Sequence, residues 1–448
     1  MEQYNIDKAR NTVKVKMVRC LICGATFDAS LEKCPVCGVG PEYFEPYEEE
    51  ETTYRKDTNE VFVILGNGAA GLSAAEAIRE RNGTCTVIMV TDEPYLSYNR
   101  PMLTKSLESL KNAEEIAIHD REWYENNKIT NILGVRAVKL DTAAKTIILG
   151  DGSLLKYDKC IYALGSECFI PPITGADKPE VVAVRRMDDV LRIRALSERV
   201  KNTVVIGGGV LGLEAAWGMY RCGSRVTVLE VADKLMVRQL DDVGGELLAN
   251  VIVDAGIDFR INAAITEVIG NGTVTGVKLE DGTVYPADLV IISAGVSANT
   301  ALAKEAGITA ERSVLVNERM ETSAPGVYAC GDCAQYNGVN YAIWPQALEM
   351  GRIAGANAAG DNVSYKPVPA ALTFEGMDTT LFAAGDNGRT PGLHYKTAEV
   401  RDPANKIYEK YYFAGDGLAG VILIGDTSRL GELTKALDEK KKYNGLKF

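Results

Sequence analysis

Four of the ten cysteines in this 448-residue chain fall in a pattern that does chemistry. Cys20-Leu-Ile-Cys23-Gly24 and Cys34-Pro-Val-Cys37-Gly38 each offer two thiolates on one turn, and the glycine that follows lets backbone N–H groups fold back toward the sulfurs. Two such turns complete a tetrahedral four-sulfur site, for iron or for zinc. Two glycine fingerprints follow. Gly66-x-Gly68-Ala69-Ala70-Gly71 and Gly207-x-Gly209-x-x-Gly212 are turns that lay amides and a helix N-terminus against a pyrophosphate. A one-electron metal centre and carriers of electron pairs therefore share one chain, whose expected business is to connect them.

Each fingerprint needs a strand before it and a helix after it, and the sequence supplies both twice. Val61–Leu65 is a continuous apolar run into Gly66, and Leu72-Ser-Ala-Ala-Glu-Ala-Ile78 reads as the helix beyond the turn. The next strand, Thr86–Val90, ends at Thr91-Asp92-Glu93, so an acid, Asp92 or Glu93, stands about twenty residues past the glycines, where a ribose hydroxyl is held. The same order recurs where Val204-Val-Ile206 enters Gly207 and Arg225–Leu229 ends at Glu230. Two devices imply two dinucleotides, one fixed and one exchanging. A carboxylate at Glu230 accepts from a free 2'-hydroxyl and repels a 2'-phosphate, so NADH is expected over NADPH.

The formal net charge of −12 supplies no basic stripe, which argues against a nucleic-acid partner. No charged leader with an apolar run and a small-residue cleavage site opens the chain, and no apolar stretch reaches spanning length without a glycine-rich turn. Neither secretion nor a membrane partner is expected, and cysteine usage fits a reducing, cytoplasmic location. Cys85, Cys160 and Cys222 read as packing residues. Cys330-Gly-Asp-Cys333 stays open between a redox pair and small residues demanded by a tight turn. His119 and His394 are the only histidines and are expected neither as metal ligands nor as bases, since hydride transfer between stacked rings needs none. The acidic run at 48–51 reads as part of a solvated, self-repelling tether over 46–59, with a coil-like reach of roughly 20 Å. A mobile small domain and a docked one both fit that reading.

Taken together, these motifs resemble the two-dinucleotide FAD/NAD(P)H oxidoreductases of the pyridine nucleotide-disulfide reductase fold. Tyr162-Ala-Leu-Gly165-Ser166 is similar to the segment that joins the two nucleotide domains of that family. Val327-Tyr-Ala-Cys-Gly331-Asp332-Cys-Ala334 resembles its second flavin motif, which implies that Asp332 binds the flavin ribitol. Tyr98-Asn-Arg100-Pro101-Met-Leu103-Thr-Lys105 carries no cysteine where thiol-relay members place theirs, and resembles the loop of rubredoxin reductases and nitrite reductase large subunits. The resemblance implies that Lys105 and Glu214 meet beside the flavin N5, the lysine favouring anionic reduced flavin and the glutamate holding it in place. A solvated loop lysine and a glutamate favoured by its helix dipole are the plain alternatives. Trp344-Pro345-Gln346 is similar to a segment near the flavin's pyrimidine edge, with a core tryptophan as the alternative. Arg100, Gly165, Gly295 and Gly331 complete the implied cofactor contacts.

The cysteine segment, with Tyr43-Phe44, resembles a short rubredoxin domain of the kind that ends rubrerythrins. This implies one iron in a Cys20, Cys23, Cys34, Cys37 site, while zinc suits the same ligands. The implied fold is α/β, with two Rossmann-like, glutathione-reductase-like domains, a rubredoxin-like domain in front and a small α+β domain behind. The expected boundaries are 1–45 for the metal domain, 46–59 for the linker, 60–175 and 298–362 for the two parts of the FAD domain, 176–297 for the NAD(H) domain and 363–448 for the last. The expected function is transfer of hydride from NADH to FAD, then of single electrons to the iron and a protein acceptor such as rubredoxin, a rubrerythrin or a flavodiiron protein. Two alternatives remain: a nitrite-reductase-like electron-input subunit, against which no cysteine after residue 360 speaks for sirohaem, and a flavin redox sensor with a structural zinc knuckle. The oligomeric state is open.

Overall fold

The computed structural model describes residues 17–21, 26–34, 39–47, 54–367 and 371–446. Two five-stranded, wholly parallel sheets carry the two fingerprints on one plan. In the first, the order is Val327–Ala329, Lys159–Tyr162, Val61–Leu65, Thr86–Val90, Ile129–Ile132. In the second it is Val181–Val182, Leu289–Ile292, Asn202–Ile206, Arg225–Leu229, Asp258–Arg260. The fingerprint strand is central in both, where both faces are covered. That is why Phe62, Val63, Ile64 and Leu65 form an unbroken apolar run with no exposed surface.

The second sheet is an insertion in the first. Strands Ser166–Cys168 and Val296–Ala298, which lead out of the first unit and back into it, pair antiparallel as a double connection. Val327–Ala329 then returns to close the first sheet beside Lys159–Tyr162. Beyond 370 lies an antiparallel five-stranded sheet, in the order Ala371–Gly376, Thr379–Gly385, Gly417–Ile424, Ile407–Ala414, Tyr395–Asp402, with helix Leu430–Asp438 against it. The lysines at 440–442 follow the end of that helix.

Helix Trp344–Ala358 crosses helix Ala69–Arg81 at close range. A Cβ on Gly351 would lie 2.2 Å from the Ala70 carbonyl oxygen, and one on Gly355 would lie 2.2 Å from that of Ala74. No rotamer relieves a clash with backbone. Gly355→Ala is therefore expected to destabilise the chain by about 1–3 kcal/mol, outweighing the gain in helix propensity of about 1 kcal/mol. An unchanged urea midpoint would overturn this.

At the front of the chain, Thr26–Asp28, Met17–Cys20 and Phe44–Tyr47 form a small antiparallel sheet around Cys20, Phe27, Cys34 and Val39, with Phe27 and Phe44 edge-on at 4.8 Å. The expected linker is shorter than 46–59 at both ends. Pro46 and Tyr47 belong to the edge strand. Residues from 54 are bound to the first nucleotide unit, with Lys56 N–H donating to the Arg81 carbonyl at 2.8 Å and Gly83 N–H to Asp57 at 2.6 Å. Residues 48–53 lie outside the described residues.

Candidate functional site

The two glycine turns share one geometry. Gly66 and Gly207 have φ of +102° and +118°, open to glycine alone, and a Cβ on either would meet the opposing loop's carbonyl, Ala163 or Ser293, at 2.2 Å. The third glycine of each turn, Gly71 or Gly212, lies over the first, where a Cβ would come within 2.0 Å of its carbonyl oxygen. The helices behind them begin at Gly68 and Gly209 with no side-chain cap and no acid in the first turn, so their N–H groups are left for an anion.

The first turn opens into a cavity of about 1040 Å³, whose walls include Gly66, Gly68, Ala69, Ala70, Asp92, Glu93, Arg100, Lys105, Gly165, Glu214, Gly331, Asp332 and Trp344. That exceeds the range for a drug-sized ligand and suits a dinucleotide. Gly71 packs behind the wall. Gly207, Gly209, Gly212, Glu230 and Gly295 stand apart from this cavity, although Val210 and Leu211, from the same turn, reach it.

Asp332 accepts from Arg185 at 2.7 Å and from the Ser166 hydroxyl at 2.9 Å, so the carboxylate is fixed at the wall. Gly331 precedes it at φ +75°, where a Cβ would press Ala70 at 2.8 Å. The two strand-end acids divide their work. Glu93 is buried and accepts from Arg100 and from the Tyr98 hydroxyl, each at 2.6 Å, which ties down the loop leading into the helix that carries Lys105. Asp92, facing Arg186 at 3.1 Å, keeps a more open place on the wall. In the second unit, Glu230 accepts from Gly208 N–H at 2.5 Å and from Ala232 N–H at 2.8 Å, which sets it against its own glycine turn.

Lys105 and Glu214, expected to meet beside the flavin, line the same wall of the cavity. Glu214 accepts from the hydroxyl of Thr104 at 2.5 Å, and the carboxylate within ion-pair reach of Lys105 is Glu375, at 3.8 Å. A lysine and its preceding threonine point different ways on helix Met102–Ser109, and the shorter side chain reaches the glutamate. Burial raises the Glu214 carboxyl above its ordinary range, with the Thr104 hydrogen bond and Lys105 opposing. Trp344 is half-buried at the start of its helix, where it packs on the core and also lines the cavity.

Burial pushes the Cys333 thiol up to about 12 and Cys330 well above its usual value. Neither is a thiolate at neutral pH, which speaks against a relay through them. His119 pairs with Glu76 at 2.7 Å and stacks on Trp123, away from the cavity. Cys20 and Cys34 are buried in one small core, and the Cys34 N–H donates to the Val39 carbonyl at 2.9 Å. Cys23 and Cys37 lie outside the described residues. Among the described residues, no group of three or more His, Cys, Asp or Glu is placed to hold a metal, and no helix is long and apolar enough to cross a membrane.

The small domain is docked. The Tyr43 hydroxyl bonds to Thr427 Oγ1 at 2.9 Å, and Leu21 and Tyr43 pack on the core beneath helix Leu430–Asp438. Leu21, directly after Cys20, and Val39, two residues after Cys37, line the same cavity as Gly66 and Asp332. Sequence reasoning missed Arg185, Glu375 and Thr427, which no local pattern marks, and gave no role to Ser166 and Thr104, which stand inside the quoted motifs.

With this geometry the fold and site define a class. Residues 61–354 match the pyridine nucleotide-disulphide oxidoreductase family, and the chain belongs to it: it is an NAD(P)H-dependent flavoprotein oxidoreductase. Residues 369–441 match the C-terminal domain of rubredoxin NAD+ reductase. The chain is 30% identical to NADH-rubredoxin oxidoreductase of Clostridium acetobutylicum over 86% of its own length and 96% of that protein. The crystal structure of NADH:rubredoxin oxidoreductase from the same organism superposes with a TM-score of 0.70 at 30% identity, over 87% of this chain and 97% of that one. It is also 34% identical to nitrite reductase [NAD(P)H] of Bacillus subtilis over 84% of this chain and 47% of that protein. The chain thus spans about half the length of the nitrite reductase-type relatives it matches. The resemblance read from the glycine turns and the cysteine-free loop is borne out for the reductase portion.

Proposed function

We propose that the chain is an NADH-dependent FAD oxidoreductase that sends single electrons through its own four-cysteine iron centre to a protein acceptor, such as a rubredoxin, a rubrerythrin or a flavodiiron protein. The observation that carries this reading is the docking of the small domain, whose residues beside the cysteine turns line the cavity of the first fingerprint. FAD, when bound, takes a hydride pair from NADH and gives electrons up singly. The chain's own residues do the rest. The glycine-turn amides and the uncapped helix start hold the pyrophosphate, Asp332 fixed by Arg185 and Ser166 takes the ribitol, and Asp92 faces the ribose. Lys105 supplies positive charge at the cavity wall, and Glu230 selects the exchanging nucleotide. Cys20, Cys23, Cys34 and Cys37 are the iron ligands, and a reducing cytoplasm suits them.

An anaerobic titration tests this. NADH is expected to reduce the flavin and bleach the ferric-thiolate colour of the iron-loaded chain, and a colour that persists would overturn the internal relay. A second reading, electron input to a nitrite-reducing partner, is favoured by the 34% identity to the Bacillus subtilis enzyme. Faster transfer to a sirohaem partner than to rubredoxin-type acceptors would select it.

A further inference from the structure

Three ionisable side chains from three parts of the chain meet at one wall of the cavity. Lys105 comes from helix Met102–Ser109, Glu214 from helix Val210–Arg221, and Glu375 from edge strand Ala371–Gly376 of the C-terminal sheet. One ammonium faces two carboxylates. Lys105 stands 3.8 Å from Glu375, while Glu214 is held by the Thr104 hydroxyl at 2.5 Å. The Glu375 side chain is 59% exposed, whereas Glu214 is half-buried at the cavity wall. Burial and Glu375 raise the Glu214 carboxyl and Lys105 lowers it, so the side to which the ammonium turns bears on the proton of Glu214.

We propose that Glu375 is a positioning residue, which competes with Glu214 for Lys105 and thereby governs the proton carried by Glu214 at the cavity wall. With Lys105 held by Glu375, the protonated form of Glu214 is favoured. When Lys105 swings to Glu214, the carboxylic acid loses that proton to water, an ammonium–carboxylate pair forms in its place and no electron moves. The charged groups acting on Glu214 are Lys105, which favours the anion, and Glu375, which opposes it. The C-terminal domain thus sets the charge next to the cofactor from outside both nucleotide units. The link to the flavin rests on the reading of this cavity as the FAD site.

The test is a pH titration of the FAD-bound full chain labelled with carboxyl-¹³C glutamate, the Glu214 resonance being identified by its loss in Glu214→Gln. Glu375→Gln removes a like charge and frees Lys105. Both effects favour the anion, so the Glu214 midpoint is expected to fall by about one pH unit, a tenfold loss of proton affinity. Lys105→Met is expected to move it the opposite way, and Glu375→Asp to restore it toward wild type. A merely structural glutamate would not give shifts of opposite sign in the two variants. A wild-type midpoint in Glu375→Gln, or shifts of the same sign in both, overturns the proposal. The pH profile of flavin reduction by NADH is read alongside: if the ¹³C midpoint moves and that profile does not, the competition stands and the cavity's assignment to the flavin falls.

Discussion

Removal of residues 1–55 is expected to leave a folded flavoprotein that NADH still reduces, while transfer to a one-electron protein acceptor collapses. Both glycine turns, Lys105, Glu214 and Asp332 belong to elements beyond the cut, and the small domain adds no strand to either parallel sheet. Among the described residues, the cut removes at the docking face the hydrogen bond of Tyr43 to Thr427 and the packing of Leu21 and Tyr43. Thr427 keeps its bond to Thr380 at 3.1 Å. Attachment holds the metal domain at an effective concentration in roughly the millimolar range, so free domain added back at about 10 µM is expected to restore only about one hundredth of the rate. The measurement is acceptor reduction by whole and truncated chains at equal flavin content. Equal rates would place the iron off the electron path. Loss of flavin from the truncated chain would make the small domain structural and favour zinc in it.

Glu230→Ala is expected to cut the preference for NADH over NADPH by about tenfold to a hundredfold in kcat/KM, each charge-assisted bond being worth roughly 1.5–3 kcal/mol. The carboxylate's bonds to Gly208 N–H and Ala232 N–H aim it from strand end to glycine turn, with lone pairs left for a ribose diol. Alanine also leaves those two amides without their acceptor, so part of its loss is uniform for both nucleotides. Glu230→Gln separates the contributions, because it keeps an acceptor for the turn and removes the repulsion of a 2'-phosphate. A wild-type chain that prefers NADPH would sink the assignment.

The turns, their strands and the acids at the strand ends were legible because each is a local constraint. Gly66 needs its positive φ whatever the rest of the chain does, and a strand buried on both faces needs a run like Phe62 to Leu65. The site's second layer was not legible. Arg185 meets Asp332 across 147 residues and Tyr43 meets Thr427 across 384, and nothing in the local pattern of either residue records its partner. The further partners of Lys105 and Glu214 were not legible for a related reason. Both residues reach the expected wall, but Glu375, from a third domain, competes for the ammonium, and Thr104 takes the glutamate. Sequence spacing reports which residues approach one another, and side-chain length and burial decide which of them bond.

The strand Val327–Ala329 closes the first sheet only after the entire inserted unit has been threaded through, and that gives biosynthesis an order. A chain leaving the ribosome presents the first glycine turn early, while the flank of Lys159–Tyr162 stays bare and Gly331 and Asp332 do not yet exist. A partial product therefore lacks the part of the cavity wall that Gly331 and Asp332 supply. A nascent chain stalled within the insertion carries an open parallel edge beside Lys159–Tyr162, of the kind that invites aggregation.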